Sequence, residues 1–152
     1  MDKLKTLIVE DDESIQQLYK KGLPDDTFEK QFCINGVDAL TKYESWEPDI
    51  IILDIFLPVM TGYSVLKKIR EEFEDTSTAI IMSTALKQDE HIEDCIRLGI
   101  QGYIVKPFKF KTIGTEILRC YQAGGEEMKN IREAIKHKTD KYDMKQNRGI
   151  IA

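Results

Sequence analysis

Five polar positions in this chain stand just after short apolar runs, where they could act together. Glu10 and Asp11, the first two acids of the run Glu10-Asp11-Asp12-Glu13, follow Leu4 to Val9 at once. Asp54 closes the run Ile50-Ile51-Ile52-Leu53. Thr84 comes two residues after Ala79 to Met82, and Lys106 directly after Gly102 to Val105. Carboxylates brought together repel one another, and a bound cation relieves that repulsion. A carboxylate can also act as a nucleophile, with a hydroxyl and an ammonium beside it to steady developing charge. Singly, each group has a plainer account. Thr84 reads as a helix cap, Lys106 as a surface cation, and the acidic run as a helix start favoured by the helix dipole. Together, at equivalent ends of alternating elements, they read as one site.

The elements that must carry them alternate. Strands are predicted at Leu4–Val9, Phe28–Cys33, Ile50–Asp54, Ala79–Met82 and Gly102–Val105. Between them, apolar residues recur at helical spacing: Ile15, Leu18 and Tyr19; Val37, Leu40 and Tyr43; Leu66, Ile69 and Phe73; Ile92, Cys95 and Ile96; Ile113, Ile117, Leu118 and Tyr121. Asp12 or Ser14 caps the first helix, Asn35-Gly36 marks a turn, and Gly99 ends the fourth helix. Strand and helix alternating five times imply a parallel sheet with helices on both faces, an α/β fold. In a doubly wound sheet the carboxyl ends of the strands form one rim, and the crevice opens where the strand order reverses.

The chain has 152 residues, 32% of them charged and 41% hydrophobic, which suits one ordinary globular domain. The net charge of −5 argues against direct binding of nucleic acid. No signal peptide and no membrane-length apolar run are visible, so a cytoplasmic protein with no membrane partner is expected. Cys33, Cys95 and Cys120 are odd in number and widely spaced, as for reduced thiols filling a core.

Residues 3–122 resemble the receiver domain of bacterial response regulators, in particular the chemotaxis regulators of two-component signalling. The likeness lies in Val9-Glu10-Asp11-Asp12-Glu13, in Asp54 with Pro58 and Gly62, in Thr84-Ala85, and in Gly102-Tyr103-Ile104-Val105-Lys106-Pro107-Phe108. It implies a five-stranded, flavodoxin-like (βα)5 fold with strand order 2-1-3-4-5. It implies Mg²⁺ held directly by Asp11, Asp54 and the Phe56 carbonyl, with Glu10 acting through water. Asp54 would be the phosphoacceptor, taking its phosphoryl group from a histidine kinase or a histidine phosphotransfer protein. Thr84 and Lys106 would be its catalytic partners, aided by a cis bond before Pro107. Thr84 and Tyr103 would form a switch that reshapes the helix 4–strand 5–helix 5 face for a downstream protein. By the same likeness the chain is no enzyme beyond its own phosphotransfer and dephosphorylation.

Phe56 and Leu86 flank the path of hydrolytic water in receivers. Both are large and apolar here, so a long-lived phosphoryl group is expected. Lys109 and Lys111 stand at the start of helix five, where the dipole favours acids. They read as tolerated surface charge or as a basic spot for an acidic partner.

Three rivals are open. A flavin-binding domain of the same architecture needs a phosphate-friendly loop after strand one, and Glu10-Asp11-Asp12-Glu13 would repel phosphate. An aspartyl phosphatase has Asp-x-Asp at its first strand, whereas Asp54 is followed by Ile55 and Phe56. A degenerate receiver would have lost site residues, and all five positions are intact. Beyond Gln122, residues 123–152 form a charged extension, partly helical or disordered, with seven Lys/Arg and five Asp/Glu after Ala123. Met128, Ile131 and Ile135 predict a short helix, which Lys138 interrupts. A stand-alone regulator is favoured over an amino-terminal fragment of a longer one with an effector domain.

Overall fold

The computed structural model describes the backbone of residues 2–85 and 89–151, and the side chains of residues 2–85 and 91–138. The elements are β1 (Leu4–Val9), α1 (Glu13–Gly22), β2 (Phe28–Cys33), α2 (Gly36–Trp46), β3 (Ile50–Asp54) and α3 (Gly62–Lys67). A π-helical turn (Lys68–Glu72) extends α3, and β4 (Ala79–Thr84), α4 (Asp89–Leu98), β5 (Gly102–Val105), α5 (Phe110–Gln122) and α6 (Glu126–Ile151) follow. The strands form one parallel sheet in the order β2-β1-β3-β4-β5.

The order explains the sequence pattern. β3 is central, buried at all five positions, and so is an unbroken apolar run ending in Asp54. β5 is an edge strand and alternates buried with exposed. Leu7, Val9, Ile51, Leu53, Ile80 and Met82 pack on one face of the sheet, with α2, α3 and α4. Ile8, Ile50, Ile52, Ile81 and Ile104 pack on the other, with α1 and α5. All three cysteines are buried and unlinked, as expected. Among the described residues, no helix is long and apolar enough to cross a membrane.

Three details differ from expectation. The fourth strand runs on through Ser83 to Thr84. Val37 points outward, 43% exposed, while Leu40 and Tyr43 turn to the core. The extension carries a helix of 26 residues rather than a short one. Its first turns are docked: Met128 is buried in the α4-side core, and Ile131 and Ile135 pack against that core. Lys138 breaks the apolar stripe but not the backbone, since Lys is a good helix former.

The candidate phosphoacceptor site

β1 and β3 lie side by side with Val9 opposite Leu53. The residues that follow, Glu10 and Asp54, therefore meet although they are far apart in sequence. β4 lies on the other side of β3, with Ser83 opposite Asp54, so Thr84 stands one residue further along the rim. β5 then sets Val105 opposite Thr84, and the Lys106 amide donates to the Thr84 carbonyl at 2.7 Å. Parallel pairing alone thus brings the five sequence-predicted positions to one rim.

The loops are fixed locally. Asp12 caps α1, its Oδ1 accepting from the amides of Ser14 (2.8 Å) and Ile15 (3.2 Å). That takes Asp12 out of the cluster and leaves three acids. Carboxylate oxygens of Glu10, Asp11 and Asp54 lie within 4.8 Å of one another, Glu10 and Asp54 buried and Asp11 exposed. The Asp54 Oδ1 accepts from the Phe56 amide at 3.1 Å. The Lys106–Pro107 bond is cis. The Lys106 ammonium bridges the two buried acids, 2.7 Å from Glu10 Oε2 and 2.9 Å from Asp54 Oδ2.

One support gave no sequence signal. Gln16, one turn into α1, donates from Nε2 to the Glu10 carbonyl at 2.7 Å. Gly62 was legible in the sequence as a turn residue after the β3 run and as part of the receiver pattern, but its close packing was not. A β-carbon there would fall 1.9 Å from the Asp54 carbonyl oxygen, so the position admits no side chain. Tyr103 lies on the outer edge strand, 39% exposed. Phe56 is 50% exposed, its ring edge-on to His91 at 5.2 Å. Leu86 lies outside the described residues.

Charge in the cluster is unbalanced. Burial pushes the Glu10 carboxyl up to about 7; Lys106 opposes this, and the neighbouring Asp54 adds to it. Burial works against the Lys106 ammonium, yet its bonds to Glu10 and Asp54 outweigh that and raise its pKa. A carboxyl with a raised folded pKa holds its proton longer when folded. Stability therefore falls as pH rises from the ordinary 4.5 to about 7. In chelator, urea midpoints are expected to fall between pH 5 and pH 8, and Glu10→Gln should flatten that fall. An equal slope in the variant would refute the assignment. The donor set is all oxygen, partly open to solvent at Asp11, and short of positive charge. That fits a hard divalent cation with water in its shell.

Comparison with known proteins agrees with this geometry. Residues 6–118 match the model of the response regulator receiver domain. The chemotaxis protein CheY of Listeria monocytogenes is 37% identical over 70% of this chain and 88% of its own length. The crystal structure of chemotaxis response regulator CheY4 of Vibrio cholerae superposes with a TM-score of 0.71 at 32% identity, over 78% of this chain and 99% of that one. The regulatory protein AtoC of Escherichia coli is 27% identical over 88% of this chain, which spans only 27% of that protein. An acidic rim on a 2-1-3-4-5 sheet, a bridging lysine and this family match converge: the chain belongs to the response regulator receiver domains of two-component signalling.

Proposed function

We propose that Asp54 accepts a phosphoryl group from a histidine kinase or a histidine phosphotransfer protein, and that this switches the α4–β5–α5 face for a downstream protein. The single observation that carries the reading is the Lys106 ammonium bridging Glu10 and Asp54 at the rim. An Asp54 carboxylate oxygen attacks phosphorus, a new O–P bond forms, and the N–P bond to the donor imidazole breaks. Such transfer needs positioning and cations at the phosphoryl oxygens more than covalent help. Lys106 supplies one cation. Glu10, Asp11, Asp54 and the Phe56 carbonyl would hold Mg²⁺, which supplies further positive charge when bound. The Thr84 hydroxyl and the Phe56 amide, which now donates to Asp54 Oδ1, would donate to the new oxygens.

The switch follows from that demand. Thr84, buried at the end of β4, turns toward the phosphoryl group, and Tyr103 moves inward from its exposed position. The change is a population shift biased by local charge. Phe56 beside the site slows attack by water. Lys109 and Lys111, both exposed, lie at the start of α5 and favour an acidic partner surface.

Incubation with acetyl phosphate and Mg²⁺ should add the mass of one phosphoryl group to the wild type and nothing to Asp54→Asn. An unchanged wild-type mass, or equal labelling of the variant, would end the proposal. In the same assay, Phe56→Asn should shorten the life of the label by about tenfold, as water gains a polar guide.

A further inference from the structure

The α4 surface in this chain is already occupied. α5 ends at Gln122, and Gly124 (φ 61°) and Gly125 (φ 80°) reverse the chain. Left-handed backbone at two successive positions is cheap only for glycine. The Arg119–Glu127 pair at 2.9 Å spans the turn. α6 then lies along α4. Met128, 7% exposed, joins Ile92, Cys95 and Ile96 in one buried cluster, with Ile131 and Ile135 packed against it. Arg132 reaches the far end of α4, where a methyl group on Gly99 would sit 3.4 Å from its Nη1. A cation there suits the negative end of a helix. Between α6, α5 and the edge of β5 an open groove of about 410 Å³ is left, with Tyr103 and Val105 on its floor.

α4 also reaches the rim. Its His91 ring meets the Phe56 ring at 5.2 Å, and the Phe56 amide holds Asp54 Oδ1 at 3.1 Å. The helix that α6 packs along is thus also the helix whose amino-terminal end touches the Asp54 loop.

We infer that residues 126–135 of α6 are an intramolecular occupant of the α4 face, and that their docking opposes the phosphorylated state of Asp54. The inference rests on the phosphoacceptor reading. The packing stripe is Met128, Ile131 and Ile135, one residue per turn on one side of α6. A partner helix with apolar residues at the same spacing has to displace α6 to reach α4. Coupling of this kind is reciprocal: whatever loosens α6 on loading Asp54 makes Asp54 easier to load once α6 is loose.

The test uses the full chain and beryllofluoride, which mimics a phosphoryl group and binds reversibly in Mg²⁺. Calorimetry compares the wild type with Ile131→Asp/Ile135→Asp, which makes docking unfavourable. A second variant, Gly124→Ala/Gly125→Ala, penalises the reversal and favours α5 running straight into α6. Either variant should bind beryllofluoride about five- to tenfold more tightly than the wild type. In the wild type, amide exchange over residues 128–135 should quicken about tenfold on binding. Equal affinity in a folded variant, with exchange unchanged, would overturn the inference alone. No binding and no acetyl phosphate labelling in the wild type would remove the phosphoacceptor reading and this inference together. If the charged variant fails to fold, the alanine variant and the wild-type exchange decide.

Discussion

Lys106→Met is expected to slow acetyl phosphate labelling of Asp54 by about 10²- to 10³-fold, the usual cost of losing one preorganised charge at a reacting centre. Methionine keeps most of the stem but offers no proton to Glu10 or Asp54, which the ammonium now meets at 2.7 and 2.9 Å. The loss should not resemble a loss of metal. On the proposed reading, Lys106 and a divalent cation would compete for the same buried oxygens, so removing the ammonium should leave the cluster more negative and raise its affinity for Mg²⁺. Titrating Mg²⁺ while following the label should therefore give a lower half-saturation point and a much lower plateau. A plateau within threefold of wild type would show that Lys106 merely balances charge.

Arg70→Ala should cost about 3–4 kcal/mol of stability, a large share of what a domain of this size has to lose. Arg70 is 9% exposed, and its hydrogen bonds go to neutral carbonyl and amide oxygens. Its fork donates to the carbonyls of Gly99 (2.8 Å), Asp75 (2.8 Å) and Thr78 (2.9 Å), and to Gln101 Oε1 at 3.1 Å. Gln101 Oε1 in turn accepts from the Ile80 amide at 2.6 Å. One side chain thus ties the end of the α3 segment to the start of β4 and of β5. Truncation strands several partly buried acceptors, and Arg70→Lys cannot restore the planar fork. Urea unfolding monitored by circular dichroism measures the loss. A change under 1 kcal/mol would show that water replaces the guanidinium. Because Arg70 lies at the end of the sheet away from Asp54, the variant should still take the label when folded at low temperature.

The rim was legible in the sequence because its logic is local. Each functional group follows a short apolar run, and parallel pairing turns that pattern into proximity. The strand order was not legible in this way. Nothing in Leu4–Val9 or Ile50–Asp54 says that they are neighbours; family likeness supplied it. Arg70 was hidden for another reason. Its helix reads as amphipathic through Leu66, Ile69 and Phe73, which leaves an arginine at 70 on the boundary. The π-helical turn at Lys68–Glu72 lets Ile69 and Arg70 both face inward, while Phe73 stays 43% exposed beside Tyr43. The docking of α6 was hidden too. A stripe of three apolar residues states a preference for burial, but its target is fixed only by the glycine reversal and by the α4 surface.

Gly62 carries a consequence for reading such chains by substitution. Its missing β-carbon is the space into which the Asp54 carbonyl oxygen fits, 1.9 Å from where that carbon would stand. An exhaustive replacement survey would rank this glycine beside the aspartate it touches, although it exchanges no proton and holds no ion. Intolerance at a position measures how little room the backbone leaves there, and chemistry is only one of the things that use up that room.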